Sequence, residues 1–295
     1  MSSLRKEIED EIKKNRPKLG ASSLTTYVST LFNLHKNIKS DNNHLDFFND
    51  DEKILNFLEA KNPKTRKTIL SALFVLTGNQ EYQRVMLQDC KIVNDEYKTQ
   101  TKDKKQEDNW IPIEDIKTLY DKHLEDIKRM LKIPALMDFQ KVVDFWLLAF
   151  LGAGVSGVVP RRSMDYALLK IKEYNPSVDN YYKNGKMYFN IYKTAKVYGE
   201  QIVDIPKSLL PLVKKWIKVN PTEYFLFSSN LKPLSSSQIN KMLNKVFDGK
   251  HISTDLLRHT FVSYKYKDMP ALKDMLETSK ELGHSLNTSF EYIKK

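Results

Sequence analysis

The sequence predicts a mainly α-helical protein with one small antiparallel β-sheet, arranged as two domains. Three observations predict it. Apolar residues recur at helical spacing through most of the chain, as at Leu24, Tyr27, Leu31 and Leu34. One strong hairpin signal marks the sheet: Asn184-Gly185, which fits a type I′ turn, between Tyr181–Lys183 and Lys186–Tyr192. Finally, Thr99–Asn109 (TQTKDKKQEDN) is polar and aperiodic and reads as a linker. This divides the chain into a helical domain at 1–100, a linker at 101–109 and a larger domain at 110–295.

In the first domain Leu4–Lys14 is amphipathic but heavily charged, either an arm or a marginal helix. Ser22 or Ser23 can cap a helix running to about Ile38, and Ser40–Asn43 is a polar loop. Asp50-Asp51-Glu52 puts acid at the start of a short helix, where it complements the dipole. Asn62-Pro63 supplies an N-cap and a first-turn proline for a helix to about Thr77, and another helix spans roughly Asn79–Asp95.

In the second domain Ile113–Leu131 and Ala135–Leu151 read as helices, the latter the more apolar. Gly152–Val159 is irregular. Tyr166–Lys172 and about Val197–Ile205 read as strands, and a turn at Lys193–Lys196 joins the hairpin to the last strand, giving three antiparallel strands there. Helices resume at Lys207–Val219, Ser236–Val246, Ser253–Tyr266, Pro270–Leu282 and Thr288–Ile293.

Composition narrows the function classes. The chain has 295 residues, 41% hydrophobic and 29% charged, with one cysteine, so it forms no intramolecular disulfide and fits a reducing, intracellular compartment. No apolar run approaches a membrane span, and the N-terminus lacks the apolar stretch of a secretory signal. Net charge is +11, with 29 basic against 20 acidic residues in 109–295, which points to a polyanionic partner. No carboxylate, histidine or cysteine spacing suits a metal, and no glycine-rich loop suits a nucleotide, so no cofactor is expected.

The chemistry concentrates in Ser253–Lys295, which presents Leu257-Arg258-His259, then Leu282-Gly283-His284-Ser285, then Tyr292. Arginine suits a phosphodiester under attack, because its planar fork donates two hydrogen bonds and stays charged. A phenol can be the nucleophile.

These residues carry a resemblance to the tyrosine recombinases, the phage-type integrases and related strand-exchange enzymes, over nearly the whole chain. Pro160-Arg161-Arg162-Ser163-Met164-Asp165 matches the first-arginine motif, with an acid three residues after Arg162. Tyr192-Lys193-Thr194 matches the lysine turn, Leu257-Arg258-His259 the second-arginine box, and Leu282-Gly283-His284 with Tyr292 the final boxes. The Pro-Arg-Arg form resembles members from large DNA viruses and virophages.

The resemblance implies a helical core-binding module ahead of an α+β catalytic domain, with double-stranded DNA as partner and dimers or tetramers on DNA. It implies Tyr292 as nucleophile, Arg162 and Arg258 as phosphate clamp, Lys193 as general acid, and His284 as a donor to the scissile phosphate or a group that helps move its proton. Arg162 is preferred to the adjacent Arg161 because Asp165, one turn on, can hold it; Arg161 then joins Lys196 as a DNA contact. Tyr264 and Tyr266 are the alternative nucleophiles. Lys61, Lys64, Arg66 and Lys67, at a helix start, are expected to grip phosphates, so that both domains close on a duplex. His259 reads as structural.

Two departures stand out. The second-arginine box of the family reads His-x-x-Arg, but here Asp255 holds the histidine position, to orient Arg258 or accept a proton. Tyr292 lies eight residues past His284, about one short of the family spacing, and three from the last residue, short of the tail helix many relatives lend a neighbour.

Overall fold

The computed structural model describes residues 3–38, 44–98, 100–268 and 272–294, and the chain forms two compact units, Met1–Thr99 and Gln100–Lys295. The expected loop at Ser40–Asn43 lies outside the described residues, apart from what flanks it.

The first unit is all helix: α1 (Ser3–Asn15), α2 (Ala21–Ile38), α3 (Asp51–Leu58), α4 (Pro63–Thr77) and α5 (Gln80–Lys98). Local chemistry sets the boundaries. The Asp50 carboxylate accepts from Lys53 N ahead of α3, and the Asn62 side chain accepts from Thr65 N ahead of α4. Gly78, at φ +71°, ends α4 in the left-handed conformation that suits glycine. The charged first segment is a packed helix, not an arm: Leu4, Ile8 and Ile12 are buried among Val28, Leu31, Leu34, Leu70 and Leu73. That apolar stripe offsets the cost of ordering a charged segment.

The second unit begins with a correction. Part of the expected linker is a short helix, α6 (Lys104–Asn109), closed by a capping box between Asp103 and Gln106. Asn109 is buried and its side chain accepts from His251 N, so this segment belongs to the second unit's framework. Then follow α7 (Ile113–Met130) and α8 (Phe139–Leu151). Val142–Leu151 of α8 is buried all round, the pattern of a central helix. Trp146, Phe150, Phe225 and Tyr166 interlock around it.

The sheet has four strands in the order β1 (Leu169–Lys170), β2 (Asn180–Lys183), β3 (Lys186–Phe189) and β4 (Gln201–Asp204). The last three are antiparallel, and Asn184 (φ +51°) and Gly185 (φ +82°) form the expected turn. Two strand expectations fail. Tyr166 lies in a short helix, α9 (Ser163–Ala167), leaving only two residues for β1, which runs parallel to β2. Ala195–Tyr198 is a helical turn, α10, so β4 starts only after Gly199. In both places the apolar alternation was real, but tight turns hold the backbone instead.

Five helices close the unit: α11 (Leu210–Val219), α12 (Ser236–Val246), α13 (Thr254–Lys265), α14 (Leu272–Leu282) and α15 (Leu286–Tyr292). Ser253 caps α13 and Ser285 caps α15. These last three helices and the loop before α9 bring the chemistry together.

Candidate active site

Arg258 projects from the first turns of α13 and is almost fully buried. Its Nη1 donates to the Tyr292 hydroxyl at 2.8 Å, its guanidinium stacks 4.7 Å from the Tyr292 ring, and Nη2 donates to Leu282 O at 3.5 Å. Burial, opposed by Tyr292 and aided by Arg162, pulls its pKa below the ordinary arginine value. An arginine in that setting favours an anionic partner strongly.

Tyr292 ends α15. Burial raises its phenol, and the raising effect of Asp255 adds to this; Arg258 and Arg162 oppose, but the net direction is up. The His284 ring lies 5.1 Å from it and the His259 ring 4.6 Å. The short spacing from His284 is therefore compatible with contact, because Ser285 caps α15 immediately after it. The alternative tyrosines are elsewhere engaged: Tyr264 is exposed, and the buried Tyr266 donates its hydroxyl to Met275 O.

His284 is buried, and its Nδ1 faces Ser285 O at 3.2 Å and the Ser289 hydroxyl at 3.3 Å. Burial, then the positive charge of Arg258, holds its pKa down at about 4. It is neutral at pH 7.

The first-arginine motif differs from expectation in its internal pairing. Asp165 binds Arg161, not Arg162: Arg161 Nε donates to Asp165 Oδ2 at 2.9 Å. Arg161 is 0% exposed, gives Nη1 to Glu281 O at 2.9 Å, and stacks on Phe189 and Tyr192. It is a core residue, so the expected DNA contact by Arg161 is wrong. The cause is local. Arg162 is the N-cap of α9 with extended backbone (φ −70°, ψ 148°), and neighbouring side chains on extended backbone point in opposite directions. Arg161 turns inward to the acid, and Arg162 acts electrostatically on Arg258, Tyr292 and His284.

Four buried nitrogens in this region make no hydrogen bond: Arg161 Nη2, Arg162 Nη1, Arg258 Nε and His284 Nε2. Buried polar groups are normally paired, and unpaired ones are costly. A tetrahedral oxyanion supplies acceptors for the Arg162 and Arg258 nitrogens, whereas Arg161 Nη2 lies in the core and the neutral His284, with its hydrogen on the Nδ1 that faces Ser285 O, donates from Nε2 only when protonated.

The lysine turn is tied to the same place. Thr194 Oγ1 donates to Gly283 O at 2.9 Å, and Tyr192, whose ring covers Arg161, donates its hydroxyl to Gly199 O. Lys193 stands between these anchored neighbours with an exposed side chain, and Lys196 is exposed on the following turn. Gly283, at φ +72°, sits where an added Cβ would meet Arg161, Thr194 and Tyr192, so the turn packs closely on the arginine cluster.

A solved lambda integrase dimer bound to a COC′ core site aligns with 99% of this chain and 77% of its own, with TM-score 0.57 and 13% identity. The fold is that of the tyrosine recombinases. A XerA recombinase (TM-score 0.44, 12% identity, 100% of this chain and 94% of that one) and a lambda integrase (75–356) dimer on a COC′ core site (0.47, 14%, 98% and 96%) also align. No protein-family model matches the sequence, and neither does any curated protein.

The expected phosphate grip of the first unit is only partly available. Arg66 is committed to the buried Asp89 through two hydrogen bonds of 2.8 and 2.6 Å, which correct its assignment to DNA. Lys64 pairs with Glu96 at 2.9 Å, and Asn62 already occupies the Thr65 amide at the helix start. Lys61 and Lys64 flank a groove of about 480 Å³ whose walls include Asn33, Asn37 and Thr68. Lys67 is half-buried on the same helix. Among the described residues no group of three or more His, Cys, Asp or Glu could hold a metal ion, and no helix is long and apolar enough to cross a membrane.

One residue that the sequence reads as structural also belongs here. His259 contacts Tyr292 twice and also Asp255. Its signal was present in the sequence as the i, i+4 spacing of Asp255 and His259, which puts them on one helix face.

Proposed function

We propose that this protein is a site-specific DNA recombinase or integrase that breaks and rejoins strands through a 3′-phosphotyrosyl link. The observation that carries this is the Tyr292 hydroxyl held 2.8 Å from a buried arginine, with Arg162 and His284 beside it and an unpaired N–H on each of the two arginines. The phenol oxygen attacks the phosphorus and the bond to the 5′-oxygen breaks. Arg162 and Arg258 take up the charge that develops on the non-bridging oxygens, and one such preorganised donor contributes roughly 3 kcal/mol of barrier lowering. Lys193, on its anchored turn, protonates the leaving 5′-oxygen. A phosphodiester replaces a phosphodiester, so rejoining needs neither a nucleotide nor a metal.

Double-stranded DNA is the partner, with Lys61, Lys64 and Lys67 of the first unit and Lys196 of the second as backbone contacts, and the protein self-associates on it as a dimer or tetramer. The Pro160-Arg161-Arg162 form favours an origin among large DNA viruses or virophages.

One observation favours a second reading. Asp255 puts a carboxylate where a phosphate approaches, as in a DNA-binding protein of this fold that has lost strand cleavage. Incubation with a random-sequence duplex library carrying single nicks, without divalent metal, decides between them. A denaturation-resistant protein–DNA adduct, absent in Tyr292→Phe, supports the enzyme. Binding without any adduct supports the second reading. Relaxation of supercoiled plasmid without strand joining would make it a nicking–closing topoisomerase.

A further inference from the structure

We infer that His259 is a positioning residue for Tyr292: it ties the end of α15 to α13 and holds the Asp255 carboxylate at the phenol, so that Asp255 receives the phenol proton. The chemical half of this rests on the strand-cleavage reading; the tie itself does not.

The geometry is specific. The Tyr292 carbonyl can only accept, so His259 Nδ1, 2.9 Å away, carries the hydrogen of that bond. Nε2, on the other edge of the ring, faces Asp255 Oδ2 at 3.4 Å and donates to it when the ring carries both hydrogens as imidazolium. The ring itself meets the Tyr292 ring edge-on. Ser263, one turn further along α13, adds a second donor to the Tyr292 carbonyl at 3.3 Å and accepts from Lys294 N at 2.7 Å. One face of α13, Asp255-His259-Ser263, is thus a seam along which the nucleophile's last turn is fastened.

Asp255 has two tasks open to it, and the contacts choose one. Its nearest basic partner is His259, an ion pair when that ring is protonated, and not Arg258, whose Nη1 is given to the Tyr292 hydroxyl. The carboxylate acts electrostatically on the Tyr292 hydroxyl and raises its phenol. It is 63% exposed, so it is not a buried brace for the arginine. The charged and titratable groups around the phenol are therefore Arg258, Arg162, His284, His259 and Asp255, and among them Asp255 is the one anionic acceptor. In the step, the Tyr292 O–H bond breaks and its proton passes to Asp255, the oxygen lone pair forms the bond to phosphorus, and the 5′-oxygen leaves with a proton from Lys193. In rejoining, the Asp255 carboxylic acid returns the proton to the phenol.

Asparagine places its amide near His Nδ1 and glutamine near Nε2, which separates the two contacts. Hydrogen exchange of the segment 286–294 in the full chain reads the tie. Expected is near-native protection in His259→Asn and about tenfold faster exchange in His259→Gln and His259→Ala. Equal protection in all three overturns the tie, and thermal melts identify any variant that fails to fold. With tyrosines labelled at the ring carbon bearing the hydroxyl, Asp255→Asn should lower the Tyr292 ionisation midpoint; an unmoved midpoint overturns the contact. On the nicked duplex library, Asp255→Asn should slow adduct formation by about 100- to 10,000-fold, the range for a lost proton acceptor, and His259→Asn should slow it too despite its intact tie. Wild-type rates in Asp255→Asn overturn the proton transfer. If the wild-type protein forms no adduct, the strand-cleavage reading falls, while the exchange and tyrosine measurements still decide the positioning role.

Discussion

Exchanging the two neighbouring arginines of the first-arginine motif for methionine should give opposite phenotypes. Arg161→Met removes one partner of a fully buried ion pair and leaves Asp165, 2% exposed, without its counter-charge. Breaking a pair of this kind costs roughly 3–5 kcal/mol. For a unit of this size each kcal/mol lowers Tm by about 2–4 °C, so the fall should be about 6–20 °C. The lost bond to Glu281 O and the stacking on Phe189 and Tyr192 act in the same direction. Arg162→Met should shift Tm by no more than an ordinary half-buried substitution, about 1 kcal/mol or less, but weaken phosphate binding at the site. All three tryptophans, Trp110, Trp146 and Trp216, lie in the second unit, so a thermal melt followed by tryptophan emission reports that unit alone. Adding Asp165→Leu to Arg161→Met should recover part of the loss, since an apolar pair replaces a buried charge without a partner. A native-like melt for Arg161→Met together with a large loss for Arg162→Met would refute the assignment of the inward and outward arginines.

Three further outcomes are expected. His284, held at about 4, should show no titration between pH 5 and 8 by NMR, and adding a DNA phosphodiester should move its midpoint upward; because the folded value is depressed, the stability it contributes is present above the ordinary histidine range and is lost as pH falls from there through about 4. Asp144, buried with an unpaired Oδ1, has its carboxyl raised by burial against the lowering effect of Lys245, so its favourable contribution is present at low pH and lost as pH rises through its folded value; Asp144→Asn should therefore raise Tm at pH 7–8, with the gain vanishing below the ordinary aspartate range. DNA affinity measured against salt should fall with a log–log slope of roughly −5 to −9 if six to ten phosphates are engaged, and a nearly flat dependence would exclude that mode of binding.

Much of this fold was legible in the sequence where one residue's chemistry acts on its own backbone. Asn62-Pro63, Asp50 and Ser253 cap helices, and Asn184-Gly185 turns the hairpin, because each needs only its immediate neighbours. The helical face of α1 was visible, but whether it packs depends on apolar partners up to sixty or more residues away. The errors lie at short segments where apolar alternation and tight turns compete, as in Tyr166–Lys172 and Val197–Ile205.

The same division holds within the site. Arg258, His284 and Tyr292 could be named from their match to the family's boxes, and the structure groups them. Which arginine meets Asp165 could not, because the helical rule of i+3 fails when the first residue is an extended N-cap. Arg66 misled for a related reason: a basic cluster at a helix start does not disclose that a buried carboxylate, Asp89, waits on the next helix. His259 was readable from its spacing to Asp255, but its tie to the Tyr292 carbonyl is a contact across 33 residues.

The most direct test of the central claim is to map the residue that becomes joined to DNA. After incubation with the nicked duplex library without metal, the adduct is digested and sequenced by mass spectrometry. The account predicts one modified peptide, carrying nucleotide on Tyr292. Attachment at Tyr264, Tyr266 or any other residue, or no adduct from a protein that binds the same DNA, would contradict it.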